Sequence, residues 1–158
     1  MEFIDRNSSI FTIKVQDQVE EYRTLKFFDF TSARKMMTRI VQNVETGQVL
    51  VLSKGADSAI LSRCIPRKLL QESRGVKNLK DQGQFKFFDS EEKAIVDKIE
   101  VFASQGYRTL TFALKELDSA DIDGVYTQED IESCFNLQGA SCVEDLLQHD
   151  VSRCLIDF

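Results

Sequence analysis

Apolar and polar residues alternate along the first part of the chain, which is the pattern of β-strands with one buried face. The alternation runs from Ile10 to Val19 and resumes from Thr24 to Phe30, with a break at Glu20 to Arg23. The pattern therefore predicts two strands that this break separates.

A β-hairpin is predicted next along the chain. Two β-branched runs, Thr38 to Val44 and Gln48 to Ser53, are separated by Glu45-Thr46-Gly47. Gly47 can supply the positive φ that a tight connection requires.

Helical signals begin after this hairpin. Asp57 can cap a short helix that carries Ile60 and Leu61, and Pro66 marks its stop or redirection. The segment from Arg67 to Phe85 mixes charges, amides and two glycines with few periodic apolar positions. We predict a partly helical excursion there.

The clearest helix starts at Asp89, which forms a capping-box pattern with Glu92. Apolar residues then recur at helical spacing, namely Ile95, Val96, Ile99, Phe102 and Ala103. Gly106 ends the run. The segment from Arg108 to Lys115 alternates as a strand with one buried face.

The remaining segments are turns and short elements. Asp118 to Gly124 is an acidic connection, and its Asp121 and Asp123 lack the further ligands of a calcium loop. Thr127 with Asp130 offers a cap for a short helix. Together the elements predict a mixed α/β (α+β) fold, an antiparallel β-sheet of about six strands flanked by helices.

Composition narrows the class of protein. With 158 residues, of which 42% are hydrophobic, the chain can form one packed domain. The net charge of -6 argues against a nucleic-acid partner, because phosphate-backbone binding needs clustered Lys and Arg. No apolar stretch is long enough to cross a bilayer. We expect a soluble piece in the cytosol.

The cysteines and the histidine of the sequence do not predict a functional site. The four cysteines form no CxxC pair, and His149 is the only histidine, so a zinc site has no support. The thiols are predicted to be reduced and either buried or idle. His149 is predicted to be a surface residue.

Aromatic and basic residues that suit a nucleotide occur at three places. A nucleotide needs a flat apolar surface for its base and fixed cations for its phosphates. Phe30 and Lys35 lie in the run FTSARKMM, Lys54 in the tetrad KGAD, and Arg108 in the turn GYRTL. Gly55 follows a strand end, where a missing side chain allows close approach of a ligand.

Each feature alone also has a simpler interpretation. Lys54 and Gly55 fit a strand that ends in a solvated lysine and a turn. Arg108 fits a surface ion pair. Phe30 fits a core position, because two other phenylalanines stand beside it.

The order of these motifs resembles the nucleotide-binding domain of P-type ATPases. That domain carries Phe-x-Ser-x-x-Lys, then Lys-Gly-Ala, then Gly-x-Arg-x-Leu, and this chain has FTSARKMMT, KGADSAIL and GYRTL in that order. The match is closer to the phospholipid flippases, whose first segment is similar to F-S/T-S-x-R-K-R-M-S and whose second is KGAD. The stretch LQGASCVEDLLQ is similar to the flippase LLGATAxEDKLQ, where the chain returns to the phosphorylation domain.

The resemblance implies a set of site residues. Phe30 would stack on the adenine of ATP, Lys35 and Lys54 would line the pocket, and Arg108 would contact the phosphate side. In the full-length protein, Mg²⁺ would accompany the ATP. The module would deliver ATP to an aspartate outside this chain, in an integral membrane protein that translocates phospholipids.

Further positions either shape the pocket or depart from the family pattern. By the resemblance, Ser32 and Gly55 would form its walls. Met36 replaces the usual second arginine and Thr38 the usual serine. We expect the change at Met36 to remove a positive charge near the pocket rim and to weaken phosphate binding.

The resemblance also implies how the chain divides. Residues 1–130 would be the nucleotide-binding domain, truncated at its N-terminus because the family's upstream helix is missing. Residues 131–158 would be the segment that returns to the phosphorylation domain. No DKTGT, DGET or GDGxND motif is present, so the chain itself is not expected to transfer phosphate.

Three hypotheses about function remain open. The first is the cytosolic ATP-binding domain of a lipid-flipping ATPase, with ATP and the protein's own phosphorylation and actuator domains as partners. The second is a flippase-like regulatory or structural module with weak or no nucleotide binding, which Met36 supports. The third is an unrelated interaction domain with an acidic surface.

Overall fold

The described part of the chain comprises residues 2–7, 10–66, 89–117 and 126–144, together with residues 151 and 156, in a computed structural model. Within these residues, seven strands form one antiparallel sheet in which each strand pairs with the next along the chain. The strands are β1 (Glu2–Asn7), β2 (Ile10–Val15), β3 (Gln18–Thr31), β4 (Met36–Asn43), β5 (Val49–Gly55), β6 (Arg108–Leu117) and β7 (Asn136–Val143). The helices are α1 (Asp57–Leu61), α2 (Ser90–Ser104) and α3 (Gln128–Ile131). The predicted antiparallel sheet with flanking helices is confirmed.

The sheet has a covered face and an open face. In the pairing of β4, β5 and β6, Met36 lies opposite Gly55, which lies opposite Thr111, and all three positions are buried. Ile60 of α1 packs into the same core. Because side chains alternate along strands, the intervening residues point the other way. We call the side that carries them the open face, and its central residues are Met37, Arg39, Leu52, Lys54 and Phe112.

The predicted break at Glu20 to Arg23 is wrong, because β3 runs through it without interruption. The turn lies earlier, where Gln16 adopts a left-handed φ of 57°. Tyr22 stacks on Phe11 of β2 with 5.6 Å between ring centroids, and its hydroxyl donates to Glu20 at 2.8 Å. These contacts between and along the strands keep the charged stretch in the sheet.

The predicted β4–β5 hairpin is confirmed. The Asn43 side-chain oxygen accepts from the backbone N–H groups of Glu45 and Thr46, at 3.0 and 2.9 Å. Gly47 has the expected positive φ, 71°. The connection is therefore stabilised by an asparagine that caps the turn.

Helix α1 is present, but its predicted cap is wrong. The residue before the helix is Ala56, which makes no side-chain cap. Asp57 is instead the first helical residue and accepts from the Ser58 N–H at 2.8 Å. The backbone N–H of Ala56 donates to Lys35 O at 2.9 Å, and this contact with the turn before β4 anchors the beginning of the helix.

The other two helix starts are confirmed. Asp89 and Glu92 form the complete capping box of α2, and Thr127 and Asp130 form that of α3. Gly106 follows the end of α2 with a φ of 84°, as expected of a glycine after a helix.

Strand β6 has one buried face, and it is the more polar one. Thr111, Ala113 and Lys115 are 0%, 3% and 4% exposed, whereas Phe112 is 36% exposed. The Lys115 ammonium donates to Asp130 O and to another carbonyl beside α3, both at 3.1 Å. These hydrogen bonds allow a buried lysine, since they replace its hydration.

The core extends across the predicted division after residue 130. Ile131, Phe135 and Leu137 all belong to it, and β7 pairs with β6 along its length. The chain thus remains part of this sheet as far as Val143. The predictions for Arg67 to Phe85, for Asp118 to Gly124 and for His149 lie outside the described residues.

Candidate functional site

A row of side chains crosses the open face. Met37 of β4 pairs with Lys54 of β5, which pairs with Phe112 of β6. On the other side of β4, the register passes from Phe28 opposite Thr38 to Thr31 opposite Met36. This bulge sets two residues of β3 against one of β4, so Asp29 and Phe30 both stand opposite Met37.

The row therefore joins two of the predicted site residues, Phe30 and Lys54. Two strand spacings separate them, roughly 10 Å. Phe30 is 57% exposed, so its interpretation as a core residue is wrong. An exposed phenylalanine and a lysine two strands away on the same face offer an apolar surface and a cation for one ligand.

Phe112 completes this surface, although the sequence pattern predicts no role for it in the site. It lies opposite Lys54 and is 36% exposed. The sequence could have indicated this position, because Phe112 lies on the same strand face as Arg108, which is part of the family motif. The apolar alternation of β6 made Phe112 look like an ordinary strand residue instead.

Ser32 and Lys35 lie in the turn between β3 and β4, and both are exposed. Lys35 has a left-handed φ of 54°, and its N–H donates to Thr31 O at 2.7 Å. Residues 32–35, which we call the site turn, thus form a tight connection at the edge of the row that contains Phe30.

Gly55 packs against the site turn. A Cβ at Gly55 would lie 2.5 Å from Lys35 O and 2.6 Å from the Met36 Cβ. The neighbouring Ala56 donates its N–H to the same Lys35 oxygen. The close approach at this glycine is therefore made by the chain's own backbone, and it brings the KGAD segment against the site turn.

Arg108 begins β6 and points to the same side of the strand as Phe112, since an even number of residues separates them. The separation of four residues corresponds to roughly 13 Å along the strand. Arg108 is exposed and lies beyond the end of β5, whose last pair is Gly55 with Thr111. It stands at one end of the open face, away from the row.

An ion pair below the open face involves Arg34, a residue of the site turn that is not among the predicted site residues. Arg34 contacts both carboxylate oxygens of Glu132, at 2.5 and 2.7 Å, and Glu132 is 4% exposed. Thr38 also donates to this carboxylate, at 2.6 Å. No local pattern reveals the pair, because 98 positions separate its members in the sequence.

The expectation that Met36 lies near the pocket rim is wrong. It is fully buried and belongs to the core cluster, because β4 begins there with its side chain turned to the covered face. The residue at this position therefore does not contribute a charge to the rim. Thr38, the other departure from the family pattern, retains a hydroxyl and uses it to bind Glu132.

The described cysteines are free thiols, two of them buried and Cys142 exposed. Burial raises the pKa of the Cys64 thiol to about 12, and the nearby Glu92 carboxylate adds to the shift. Cys64 is thus neutral and unreactive at ordinary pH.

A separate cavity of about 400 Å³ lies between α2 and β7. Its lining is mostly apolar and includes Ile95, Ile99, Phe102 and Ala140. It lies on the covered side, since Ala140 pairs with buried Thr111. The predicted site residues are not part of its lining.

Two findings concern metals and membranes. Within the described ranges, no group of three or more His, Cys, Asp or Glu could hold a metal ion. The same part of the chain contains no helix that is both long and apolar enough to cross a bilayer.

Comparison with known proteins identifies the family. The sequence profile of the P-type ATPase cytoplasmic domain N matches residues 2–150. Phospholipid-transporting ATPase IC of Xenopus tropicalis is 31% identical over 171 residues, covering 95% of this chain and 12% of the relative. Phospholipid-transporting ATPase 2 of Arabidopsis thaliana is 30% identical over 118 residues, covering 75% and 9%. Probable phospholipid-transporting ATPase 12 of the same plant is 30% identical over 180 residues, covering 98% and 13%.

The chain belongs to the P-type ATPase family and corresponds to its cytoplasmic domain N. Within that family the relatives are phospholipid-transporting ATPases, so the resemblance read from the motifs is confirmed. The chain spans only 9% to 13% of the length of the relatives named above. The hypothesis of an unrelated interaction domain is wrong.

Proposed function

We propose that this chain binds ATP on the open face of its sheet. The observation that carries the proposal is the row in which Phe30, Met37, Lys54 and Phe112 lie on neighbouring strands. The row brings together motifs that are far apart in the sequence, and it does so at an exposed surface.

The base of ATP would lie on the aromatic part of the row. Phe30 and Phe112 flank Met37 and Lys54, and the exposed fractions of the two rings leave area for stacking. Aromatic rings bind a flat base through dispersion and stacking. The Lys54 ammonium would add charge next to the base and ribose.

The phosphates would extend towards Arg108. Its distance from the row, roughly 13 Å along the strand, suits the opposite end of an extended nucleotide. An arginine fork binds phosphate oxygens in pairs. Lys35 on the site turn would supply a second cation, with Ser32 and Gly55 shaping the adjoining wall.

Mg²⁺ would be held by the ATP phosphates and not by this domain. When bound, it would neutralise phosphate charge during transfer.

In the whole protein, we propose that the domain presents ATP to an aspartate outside this chain. The parent would be a membrane ATPase that translocates phospholipids, with this domain in the cytosol. Its partners would be the phosphorylation and actuator domains of the same protein. Residues 131–158 would lead back to the phosphorylation domain, with β7 still packed in the sheet.

The alternative of a regulatory module loses its main support. It rested on Met36 as a missing charge at the pocket rim, and Met36 is a core residue. The cations that the proposal uses, Lys35, Lys54 and Arg108, are all present and exposed.

Calorimetric titration of this chain with ATP tests the proposal. We expect saturable binding with a Kd near 1 mM, about -4 kcal/mol. Phe30→Ala and Lys54→Ala should abolish it. Val19→Ala, at an exposed position of the same strand as Phe30, and Lys93→Ala on α2 serve as matched controls and should bind as the wild type does. If the wild type shows no saturation even at ATP concentrations 10-fold above this Kd, the proposal is contradicted.

A further inference from the structure

We propose that Glu132 is a positioning residue for the nucleotide site and acts through Arg34. The buried carboxylate of Glu132 would hold the arginine, and the arginine would fix the site turn that carries Ser32 and Lys35. This inference rests on the proposed ATP site, since it assigns a residue that shapes it.

The contacts of Glu132 are directed at the site turn. Arg34 bonds to both carboxylate oxygens through one nitrogen, and its other terminal nitrogen donates to Asp29 O. Asp29 is one of the two bulge residues opposite Met37. One side chain therefore bridges Glu132, the site turn and the bulge that places Phe30 in the row.

The carboxylate is also fixed from its other sides. Thr38 donates to Oε1 at 2.6 Å, and Gln128 donates to Oε2 at 3.2 Å. Ser53 Oγ lies 3.0 Å from Thr38 Oγ1. Thr38 and Ser53 are paired across β4 and β5, directly beside Met37 and Lys54 in their strands. The polar network thus lies beneath the row on the covered face.

The burial of the Glu132 carboxylate gives the site turn a defined orientation. Glu132 is 4% exposed and the Arg34 side chain 22% exposed, so the carboxylate is removed from water and depends on its donors. The planar guanidinium fixes direction as well as distance, because one terminal nitrogen binds Glu132 and the other donates to Asp29 O. The turn therefore has one favoured orientation as long as both charges are present.

The position of Glu132 explains why the link is indirect. Glu132 follows α3 directly, on the covered side of the sheet, and does not reach the open face where ATP would bind. Its effect on binding must pass through Arg34. This predicts strict non-additivity, because removing Glu132 can matter only while Arg34 is present to be positioned.

A double-mutant cycle on this chain tests the inference. Glu132→Gln keeps the shape of the side chain but removes its charge, and Arg34→Met removes its partner. Each single change should weaken ATP binding about 5- to 10-fold, and the double variant should bind no more weakly than Arg34→Met alone. Glu129→Gln, at an exposed acid of α3, is the matched control and should leave the Kd unchanged.

Hydrogen exchange separates positioning from a general loss of stability. In Glu132→Gln without ATP, the Lys35 amide, which donates to Thr31 O, should exchange at least 10-fold faster. The Gly47 amide in the distant hairpin should be unchanged. Equal acceleration at both sites, or additive effects on the Kd, would overturn the inference.

Two further results cover the cases in which a variant does not fold or the wild type does not bind ATP. If a charge-removing variant does not fold, Arg34→Lys keeps the charge but loses the second nitrogen that reaches Asp29 O, and it should give intermediate exchange at Lys35. Unchanged exchange in Arg34→Lys and in Glu132→Gln would also overturn the inference. Failure of the wild type to bind ATP would instead contradict the proposed function, while the exchange measurement would still report on the link between Glu132 and the site turn.

Discussion

Lys54 and Phe112 lie directly opposite each other on β5 and β6, so that a cation and an aromatic ring share one side of the sheet. Lys54 comes from a recognisable motif, whereas Phe112 is identified only by its place in the sheet. Their adjacency, with Phe30 across β4, defines the surface to which we assign ATP.

Phe112→Ala should weaken ATP binding without unfolding the domain. The ring is 36% exposed, and losing an aromatic stacking contact costs about 0.5–1.5 kcal/mol, or roughly 2- to 10-fold in Kd. Calorimetry measures the change. Val101→Ala, at a 47% exposed position on α2, is the control, and equal Kd values for the two variants would remove Phe112 from the site.

Arg108→Ala should affect phosphate recognition alone. We expect roughly 10- to 150-fold weaker binding of ATP, since a charge-assisted contact contributes about 1.5–3 kcal/mol, and unchanged binding of adenosine. Phe30→Ala should weaken both ligands. Arg23→Ala, at an exposed position of β3, controls for the loss of net charge. Weaker adenosine binding by Arg108→Ala would place the base, and not the phosphates, near this residue.

Gly55→Ala should destabilise the domain more than Gly47→Ala. The new methyl group would meet backbone and Cβ atoms at 2.5–2.7 Å, which costs about 1–3 kcal/mol through forced shifts in addition to any effect on the site. At Gly47 nothing lies within 4 Å of the added carbon, so only the left-handed φ is penalised, by about 1 kcal/mol. Urea unfolding measures both. A smaller loss for Gly55→Ala would refute the packing role that we give this glycine.

The buried thiol of Cys64 predicts a loss of stability in alkaline solution. Its pKa is raised from 9.0 to about 12 in the folded state, so the unfolded chain releases this proton first. The resulting stability loss begins above pH 9 and grows until about pH 12, and it is on the order of 1 kcal/mol at pH 10. Urea unfolding at pH 8 and pH 10 should show this loss in the wild type and less of it in Cys64→Ala. The exposed thiol of Cys142 offers the control, Cys142→Ala, which should behave as the wild type; an identical pH dependence in Cys64→Ala would contradict the assignment.

Much of the fold could be predicted from local patterns. The β4–β5 hairpin and the capping boxes of α2 and α3 follow from Gly47, Asp89 and Thr127, because turn and cap chemistry acts over a few residues. The continuity of β3 could not be predicted, since it depends on the contact of Tyr22 with Phe11 on another strand.

Only the site residues that belong to family motifs could be predicted from the sequence. Phe30 and Lys54 are contained in family motifs, and both lie in the exposed row; their role in binding stays a prediction. The pairing of Arg34 with Glu132 and the burial of Met36 depend on tertiary packing, which a local pattern does not encode. The outward orientation of Phe112 is a similar case, because the small and polar residues of β6 are the ones that face the core.

The position of the adenine ring tests the central claim most directly. NMR spectra of this chain with ATP can detect contacts between the adenine protons and assigned side chains. We predict contacts with the rings of Phe30 and Phe112 on the open face. Contacts with Ile95, Ile99 and Phe102 would place the nucleotide in the cavity between α2 and β7, and would contradict the account.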